Sequence, residues 1–235
     1  MIDLTLVIAG IGTDGIVLAS DRAETSNSAV KMVSKIYHLK NGNLFSFAGD
    51  LGVAQKIIDA IESLDIDDNE PLLSRTQRIE DLTVDLNRRY KKKDASVHFF
   101  LTMRDNNNTI IQFFDDDGTS LRIENYDTIG NGSTYAAFFL KQLYSADLTT
   151  EELSEIFSFT IQLVGQSELN LSVKVNQDFP PEIYIIQSGK KPYQYNNEFL
   201  WNINEDRIRS LNGFIGGLFN SERTLPYLEV AKRYW

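Results

Sequence analysis

Cysteine is absent from the 235-residue sequence, and histidine occurs only twice. Without cysteine the chain can form neither disulfide bonds nor thiolate metal sites, and it cannot use a cysteine nucleophile. His38 and His98 each stand in an apolar stretch, where a histidine is more often a strand residue than a catalytic one. Two separate histidines cannot build a His-rich metal site by themselves, so we predict neither a metal nor a cofactor.

Basic residues are in the minority: 23 lysines and arginines stand against 33 aspartates and glutamates, a formal net charge of −10. An acidic protein is repelled by phosphate backbones, which argues against nucleic acid as a partner. Long apolar runs are also missing, since no stretch approaches the roughly twenty apolar residues that span a membrane. Residues 1–5 lack the basic and then apolar segments of a secretory signal, so we expect a cytoplasmic protein.

Proline occurs only five times, and no serine-, glycine- or proline-rich linker divides the chain. The composition, 42% hydrophobic and 24% charged, is that of an ordinary globular protein. At this length, one large domain can bury a complete core. We therefore predict a single domain over residues 1–235.

The N-terminal part of the chain predicts two β-hairpins separated by a polar loop. The predicted strands cover residues 4–11, 16–20, 35–39 and 44–48. The first two are joined through Asp14-Gly15, a strong hairpin signal, and the second two through residues 41–43. Residues 24–28 are polar and predict the intervening loop. The chain is thus expected to open with four strands.

Helical periodicity begins after Asp50, which can cap a helix whose apolar residues recur on one face. These residues are Val53, Ala54, Ile57, Ile58 and Ile61. Thr149 and Glu152 form a capping box at the start of a later helix. Further helices are predicted over residues 75–89, 134–144, 203–219 and 221–233, and further strands over 96–103, 109–114 and 182–187. Helices segregated from antiparallel strands predict an α+β layered domain, and two antiparallel sheets covered by helix pairs fit this order.

Four motifs carry a family resemblance, which the tract over residues 135–152 shares. One runs from Thr5 through the hairpin to Asp21-Arg22, and the others are residues 35–37, residues 47–55 and the turn Ile129-Gly-Asn-Gly-Ser133. Together they resemble the opening threonine, the lysine strand, the Ala-Gly turn and the Gly-Ser-Gly-Ser turn of the proteasome β subunits. These belong to the N-terminal-nucleophile hydrolases. The resemblance covers residues 4–187 and implies a four-layer αββα sandwich of two antiparallel sheets flanked by helix pairs.

The resemblance also implies a set of site residues. Thr5 matches the nucleophile, whose own α-amine would accept a proton once it is free. Lys35 matches the buried lysine beside the nucleophile, and Asp21 matches the carboxylate that keeps this lysine charged and oriented. The amide of Gly49 matches the oxyanion donor. Ser133 matches a serine of the Gly-Ser-Gly-Ser turn.

Three positions depart from the family's pattern. Leu4 stands where active members usually have glycine, and residues 1–4 must be removed before Thr5 has a free amine. Asn131 stands where a supporting serine is usual. Glu168 lies at about the place of the second supporting acid, but its side chain is one methylene longer.

The resemblance leaves three functions open. The first is a threonine peptidase that cleaves peptide or protein substrates with Thr5 after residues 1–4 are removed. The second is a catalytically silent, structural subunit that assembles into rings or binds a partner. The third is a transpeptidase, because the opening Thr-Leu-Val-Ile-Ala also resembles the archaeal connectases, in which an amine resolves the acyl-enzyme. The family further implies a homo-oligomer or a ring with related subunits.

Overall fold

The computed structural model describes residues 5–26, 29–64, 66, 70–91, 97–105, 108–166, 173, 175–196 and 200–220. Its strands are β1 (Val7–Gly12), β2 (Gly15–Ser20), β3 (Ala23–Ser26), β4 (Ala29–Met32), β5 (Ile36–His38), β6 (Leu44–Gly49), β7 (Val97–Asp105), β8 (Asn108–Phe114), β9 (Ser120–Arg122), β10 (Tyr126–Ile129), β11 (Glu182–Gln187) and β12 (Tyr193–Gln194). Its helices are α1 (Leu51–Ser63), α2 (Leu72–Lys91), α3 (Ser133–Leu143), α4 (Thr150–Gln166) and α5 (Leu200–Asn220).

The strands form two five-stranded antiparallel sheets and a separate β3–β4 hairpin. The first sheet has the order β10-β1-β2-β11-β12, and the second has the order β5-β6-β7-β8-β9. In the first sheet, β1 and β2 pair from Val7–Ser20 to Gly12–Gly15, so the hairpin predicted from Asp14-Gly15 is confirmed.

Three apolar clusters separate the chain into four layers. One cluster lies between α1–α2 and the second sheet, one lies between the two sheets, and one lies between the first sheet and α3–α4. Side chains alternate between two of these clusters along the start of β1, because successive residues of a strand point to opposite faces of the sheet. Leu6 and Ile8 belong to the helix-side cluster, whereas Val7 and Ala9 belong to the cluster between the sheets. The predicted αββα sandwich is therefore confirmed.

Both predicted helix caps are present. The Asp50 carboxylate accepts a hydrogen bond from the Val53 N–H over 3.0 Å, and the buried face of α1 consists of the predicted apolar residues. At α4, the Thr149 N–H donates to Glu152 Oε2 over 2.8 Å, and the Glu152 N–H donates to Thr149 Oγ1 over 3.3 Å. This reciprocal pair is the predicted capping box.

Asp14 closes one end of the first sheet by linking the β1–β2 turn to α4 and β11. Its carboxylate accepts hydrogen bonds from the Thr150 N–H over 2.7 Å and from the Gln187 side-chain amide over 2.6 Å. Burial opposes ionisation, but the hydrogen bonds from Thr150 and Gln187 outweigh it and hold the pKa of Asp14 below its ordinary value. The candidate site lies at the opposite end of this sheet, where β1 begins and β2 ends.

The predicted loop over residues 24–28 is wrong, because β3 pairs with β4 there. Six strands rather than four therefore precede α1. The two segments are short and lack sustained apolar alternation, and their backbones satisfy each other by pairing, so periodicity does not reveal them. For the same reason β9, β10 and β12 have no counterpart among the predicted strands.

The other predicted elements are confirmed with shifted ends; α2, for example, begins at Leu72 and α5 covers Leu200–Asn220. The helix predicted over residues 221–233 lies outside the described residues. The chain divides into two compact units, Met1–Asn197 and Glu198–Trp235, and the single domain over residues 1–235 stays a prediction. None of the described helices combines the length and the apolar character needed to cross a membrane.

Candidate active site

Strand ends from both sheets meet at one end of the sandwich. In the first sheet, β1 begins where β2 ends, because Val7 pairs with Ser20. Strand β10 ends and β11 begins at the same level, since Ile129 also pairs with Val7 and Glu182 pairs with Ser20. The second sheet adds the start of β5 and the end of β6, which contact β2 and β1 respectively. Four predicted site residues flank these strand ends: Thr5, Asp21, Lys35 and Gly49.

A buried ion pair joins the two sheets at this end. Lys35 Nζ lies 2.9 Å and 3.0 Å from the two carboxylate oxygens of Asp21, and the side chains are 5% and 0% exposed. Taking both charges out of water is unfavourable, and close pairing with additional hydrogen bonds offsets that cost. The Leu6 N–H supplies one such bond, to Asp21 Oδ1 over 2.8 Å. One carboxylate oxygen therefore binds both the Lys35 ammonium and the peptide N–H directly after Thr5.

Thr5 is itself buried, with 4% of its surface exposed, and lies just before β1. Its carbonyl accepts a hydrogen bond from the Gly132 N–H over 3.4 Å. Gly130 has a φ of +95°, and a Cβ there would collide with the Thr5 carbonyl oxygen and lie 3.3 Å from the Ala48 Cβ. The turn between β10 and α3 thus packs directly on the Thr5 backbone, and this packing requires glycine.

The remaining predicted residues lie in adjoining turns. Gly49 ends β6 with a φ of +135°, immediately before the cap of α1. Ser133 is half-buried at the first turn of α3, where its N–H donates to the Gly130 carbonyl over 3.0 Å. Asn131 is exposed in the same turn, and Glu168 lies outside the described residues. Catalytic roles for all seven residues stay predictions.

Glu182 and Ser34 also lie at the site, although neither is predicted from the sequence as a site residue. The Ser34 hydroxyl is 3.0 Å and 2.9 Å from the two Glu182 carboxylate oxygens, and the Lys35 N–H donates to Glu182 Oε2 over 3.3 Å. Burial raises the pKa of Glu182, although the Ser34 hydroxyl, the charge of Arg22 and the backbone N–H groups of Lys35 and Ile36 all act in the other direction. A lone charged residue that opens an apolar strand is the signal that could have revealed it.

In the part of the chain that the structure describes, no group of three or more histidine, aspartate or glutamate side chains is placed to hold a metal ion. The groups that meet at this end of the sheets are instead a hydroxyl residue, a buried ammonium and two buried carboxylates.

Replacing Gly130 by alanine should lower the free energy of unfolding by about 3 kcal/mol. The left-handed backbone accounts for about 1–2 kcal/mol, and the collision with the Thr5 carbonyl for the rest. Gly42→Ala is the matched control, because Gly42 has a φ of +83° but open space around it. Urea denaturation of both variants would measure the difference. Equal losses of unfolding free energy in the two variants would show that the close contact between Gly130 and the Thr5 carbonyl adds no cost.

The layered fold and the sequence together define the class of protein. Two antiparallel sheets between helix pairs are the arrangement that the family resemblance implies. A sequence model of the family described as "Proteasome subunit" matches residues 5–174, well over half of the chain. The chain therefore belongs to the proteasome subunit family, as the resemblance predicts.

Two curated relatives carry the name Proteasome subunit beta. The protein from Methanosphaera stadtmanae is 26% identical over 159 residues, which are 65% of this chain and 74% of that protein. The protein from Haloquadratum walsbyi is 28% identical over 168 residues, which are 66% of this chain and 65% of that protein. These relatives agree with the β type predicted from the sequence.

Two solved structures share the fold. Anbu (ancestral beta-subunit) from Yersinia bercovieri superimposes with a TM-score of 0.73 at 14% identity, covering 90% of this chain and 97% of that one. An Anbu (Gly-1) mutant from Hyphomicrobium sp. strain MC1 superimposes with a TM-score of 0.72, also at 14% identity, covering 93% and 98%. At this identity the likeness concerns the fold alone.

Proposed function

We propose that this chain is a threonine peptidase of the proteasome β type, which hydrolyses peptide bonds with Thr5 as its N-terminal nucleophile. The observation that supports this most is the shared carboxylate of Asp21, which binds the Lys35 ammonium and the N–H directly after Thr5. A positive charge is thereby held near the residue whose hydroxyl must lose a proton. The name of the two curated relatives, Proteasome subunit beta, agrees with this proposal.

The proposed reaction begins with removal of residues 1–4, which turns the Thr5 amide nitrogen into a free α-amine. Such an amine has an ordinary pKa of about 8, so a useful fraction is unprotonated at neutral pH and can accept the hydroxyl proton. The Thr5 oxygen attacks the substrate carbonyl carbon, and the Gly49 N–H stabilises the resulting oxyanion. The C–N bond then breaks, the proton passes to the leaving amine, and water hydrolyses the Thr5 ester.

A catalytically silent subunit is the second candidate. It is favoured by the double use of Asp21, which anchors the start of β1 as well as Lys35 and so stabilises the fold whether or not Thr5 reacts. The exposed Asn131, in the place of a supporting serine, fits the same reading. In either case we propose a cytoplasmic protein that assembles with copies of itself or with related subunits into a ring.

Intact mass measurement tests the peptidase proposal. Protein purified in its assembled state should have lost Met1-Ile-Asp-Leu4, and its N-terminal sequence should read Thr-Leu-Val. The same sample should release an amine product from a peptide amide. A full-length mass in an assembled sample that forms no product would contradict the peptidase and favour the silent subunit. Product joined to an added amine instead of water would identify a transpeptidase.

A further inference from the structure

Two buried carboxylates bracket Lys35 from neighbouring strands of the first sheet. Asp21 follows the last residue of β2, and Glu182 is the first residue of β11, paired directly with Ser20. Both are almost completely buried, with 0% and 3% of their surface exposed. Asp21 binds the side chain of Lys35, whereas Glu182 binds its backbone. The two contacts therefore hold the same residue at both ends.

The Glu182 contacts restrain a segment that has no regular structure of its own. Residues 33–35 precede β5 and belong to no strand. Ser34 Oγ lies within 3.0 Å of both Glu182 oxygens and 2.8 Å from the Ile36 carbonyl oxygen, and Glu182 Oε2 also accepts from the Lys35 N–H over 3.3 Å. The hydroxyl hydrogen serves one of these acceptors at a time, and the bonds to Glu182 are the ones that tie the segment to β11.

We infer that Glu182 is a positioning residue, which sets the Lys35 backbone so that the ammonium meets Asp21 beside Thr5. This inference deepens the proposed peptidase function and rests on it. The Lys35 ammonium lies within 3.0 Å of both Asp21 oxygens, so a small backbone shift would weaken both contacts. Groups that orient a catalytic side chain typically contribute about 10–100-fold to activity although they do not touch the substrate.

The charges around Glu182 make its contribution depend on pH. The positive charge of Arg22 lowers the pKa of Glu182, and Tyr184 lies two residues further along β11. The Asp21–Lys35 pair is also close, because Asp21 follows Ser20, the residue that pairs with Glu182. Because burial raises its pKa, Glu182 takes up a proton at a higher pH than an ordinary glutamate does. A protonated Glu182 is a poorer acceptor for the Lys35 N–H. We therefore expect kcat to fall as the pH is lowered and Glu182 takes up a proton.

Glu182→Met tests the inference, because it keeps a similar length but removes both oxygens that accept from the Lys35 N–H and the Ser34 hydroxyl. We expect kcat to fall about 10–100-fold with KM within about twofold, and the Glu182 contribution to the acid limb to disappear. Glu151→Gln, an exposed carboxylate on α4, should change neither. Ser34→Ala removes only the hydroxyl contact and should lower kcat less, which provides a second variant if Glu182→Met folds poorly.

A crystal structure of Glu182→Met separates this inference from the proposed function. The inference predicts that Lys35 Nζ moves away from Asp21, from 2.9 Å to a distance beyond hydrogen bonding. If Lys35 Nζ is displaced in the variant but the wild-type protein hydrolyses no amide, the positioning role is supported and the peptidase proposal is rejected. An unchanged Lys35–Asp21 pair overturns the positioning role, whether or not kcat falls. An unchanged kcat in an active enzyme overturns it as well.

Discussion

Replacing Thr5 by alanine is expected to reduce amide hydrolysis by at least about a thousand-fold. Alanine has no oxygen to attack the substrate carbonyl, and the Lys35–Asp21 pair alone supplies no nucleophile. The variant and the wild type should both be made with residue 5 as the first residue, by cleaving a removable fusion partner. Release of a fluorescent amine from a peptide amide then compares the two without any effect of leader removal.

Two controls sharpen the Thr5 comparison. Thr5→Ser keeps a hydroxyl and should retain measurable activity, whereas Thr13→Ala removes an exposed hydroxyl from the β1–β2 turn and should leave the rate unchanged. If Thr5→Ala hydrolysed the substrate as fast as the wild type, another group would be the nucleophile. If all of these proteins, the wild type included, were inactive in the assembled state, the silent subunit would be the better description.

Replacing Lys35 by methionine should lower the free energy of unfolding by about 3–5 kcal/mol. Methionine has a similar length but leaves the Asp21 carboxylate, which is completely buried, without its ammonium partner. Equilibrium urea denaturation measures the loss. Lys40→Met is the matched control, because Lys40 pairs with Glu62 at a similar distance of 3.0 Å but its side chain is 80% exposed. Because water screens the exposed Lys40 ammonium, we expect this pair to contribute at most about 1 kcal/mol.

The double variant Lys35→Met with Asp21→Asn tests the reason for the loss. Asparagine removes the buried charge but keeps an oxygen that can accept from the Leu6 N–H. We therefore expect it to recover at least about 2 kcal/mol of the stability lost in Lys35→Met alone. Equal losses in Lys35→Met and Lys40→Met, or no recovery in the double variant, would show that the buried pair has no special energetic role.

The fold was predictable wherever local chemistry agrees with the final structure. The apolar face of α1, from Val53 to Ile61, repeats at helical spacing, and the Thr149–Glu152 box marks the start of α4. The β3–β4 hairpin was not predictable, because its strands are four residues long and gain their stability from pairing with each other. Short strands without alternation give no periodic signal.

The site was predictable only in part, and for a different reason. Spacing alone does not group Thr5, Asp21 and Lys35; the family resemblance does, and the structure shows Lys35 and Asp21 in direct contact. Glu182 could not be predicted as a site residue, because it is 147 positions from Lys35 in the chain and binds a backbone N–H, which nearly every residue has. The importance of Gly130 depends on a positive φ and on a close approach to Thr5, and neither can be recognised from the residue type.

The shared carboxylate of Asp21 has a consequence for how this protein can change in evolution. Its Oδ1 atom anchors the first strand through Leu6 and also holds the lysine, so selection for folding alone is enough to retain Asp21 and Lys35. Thr5 contributes its carbonyl to the Gly132 contact, and any residue has a carbonyl. Among descendants of this chain, we therefore expect the aspartate and the lysine to be retained wherever the fold is retained, with or without activity. Only retention of the threonine would follow the proposed chemistry.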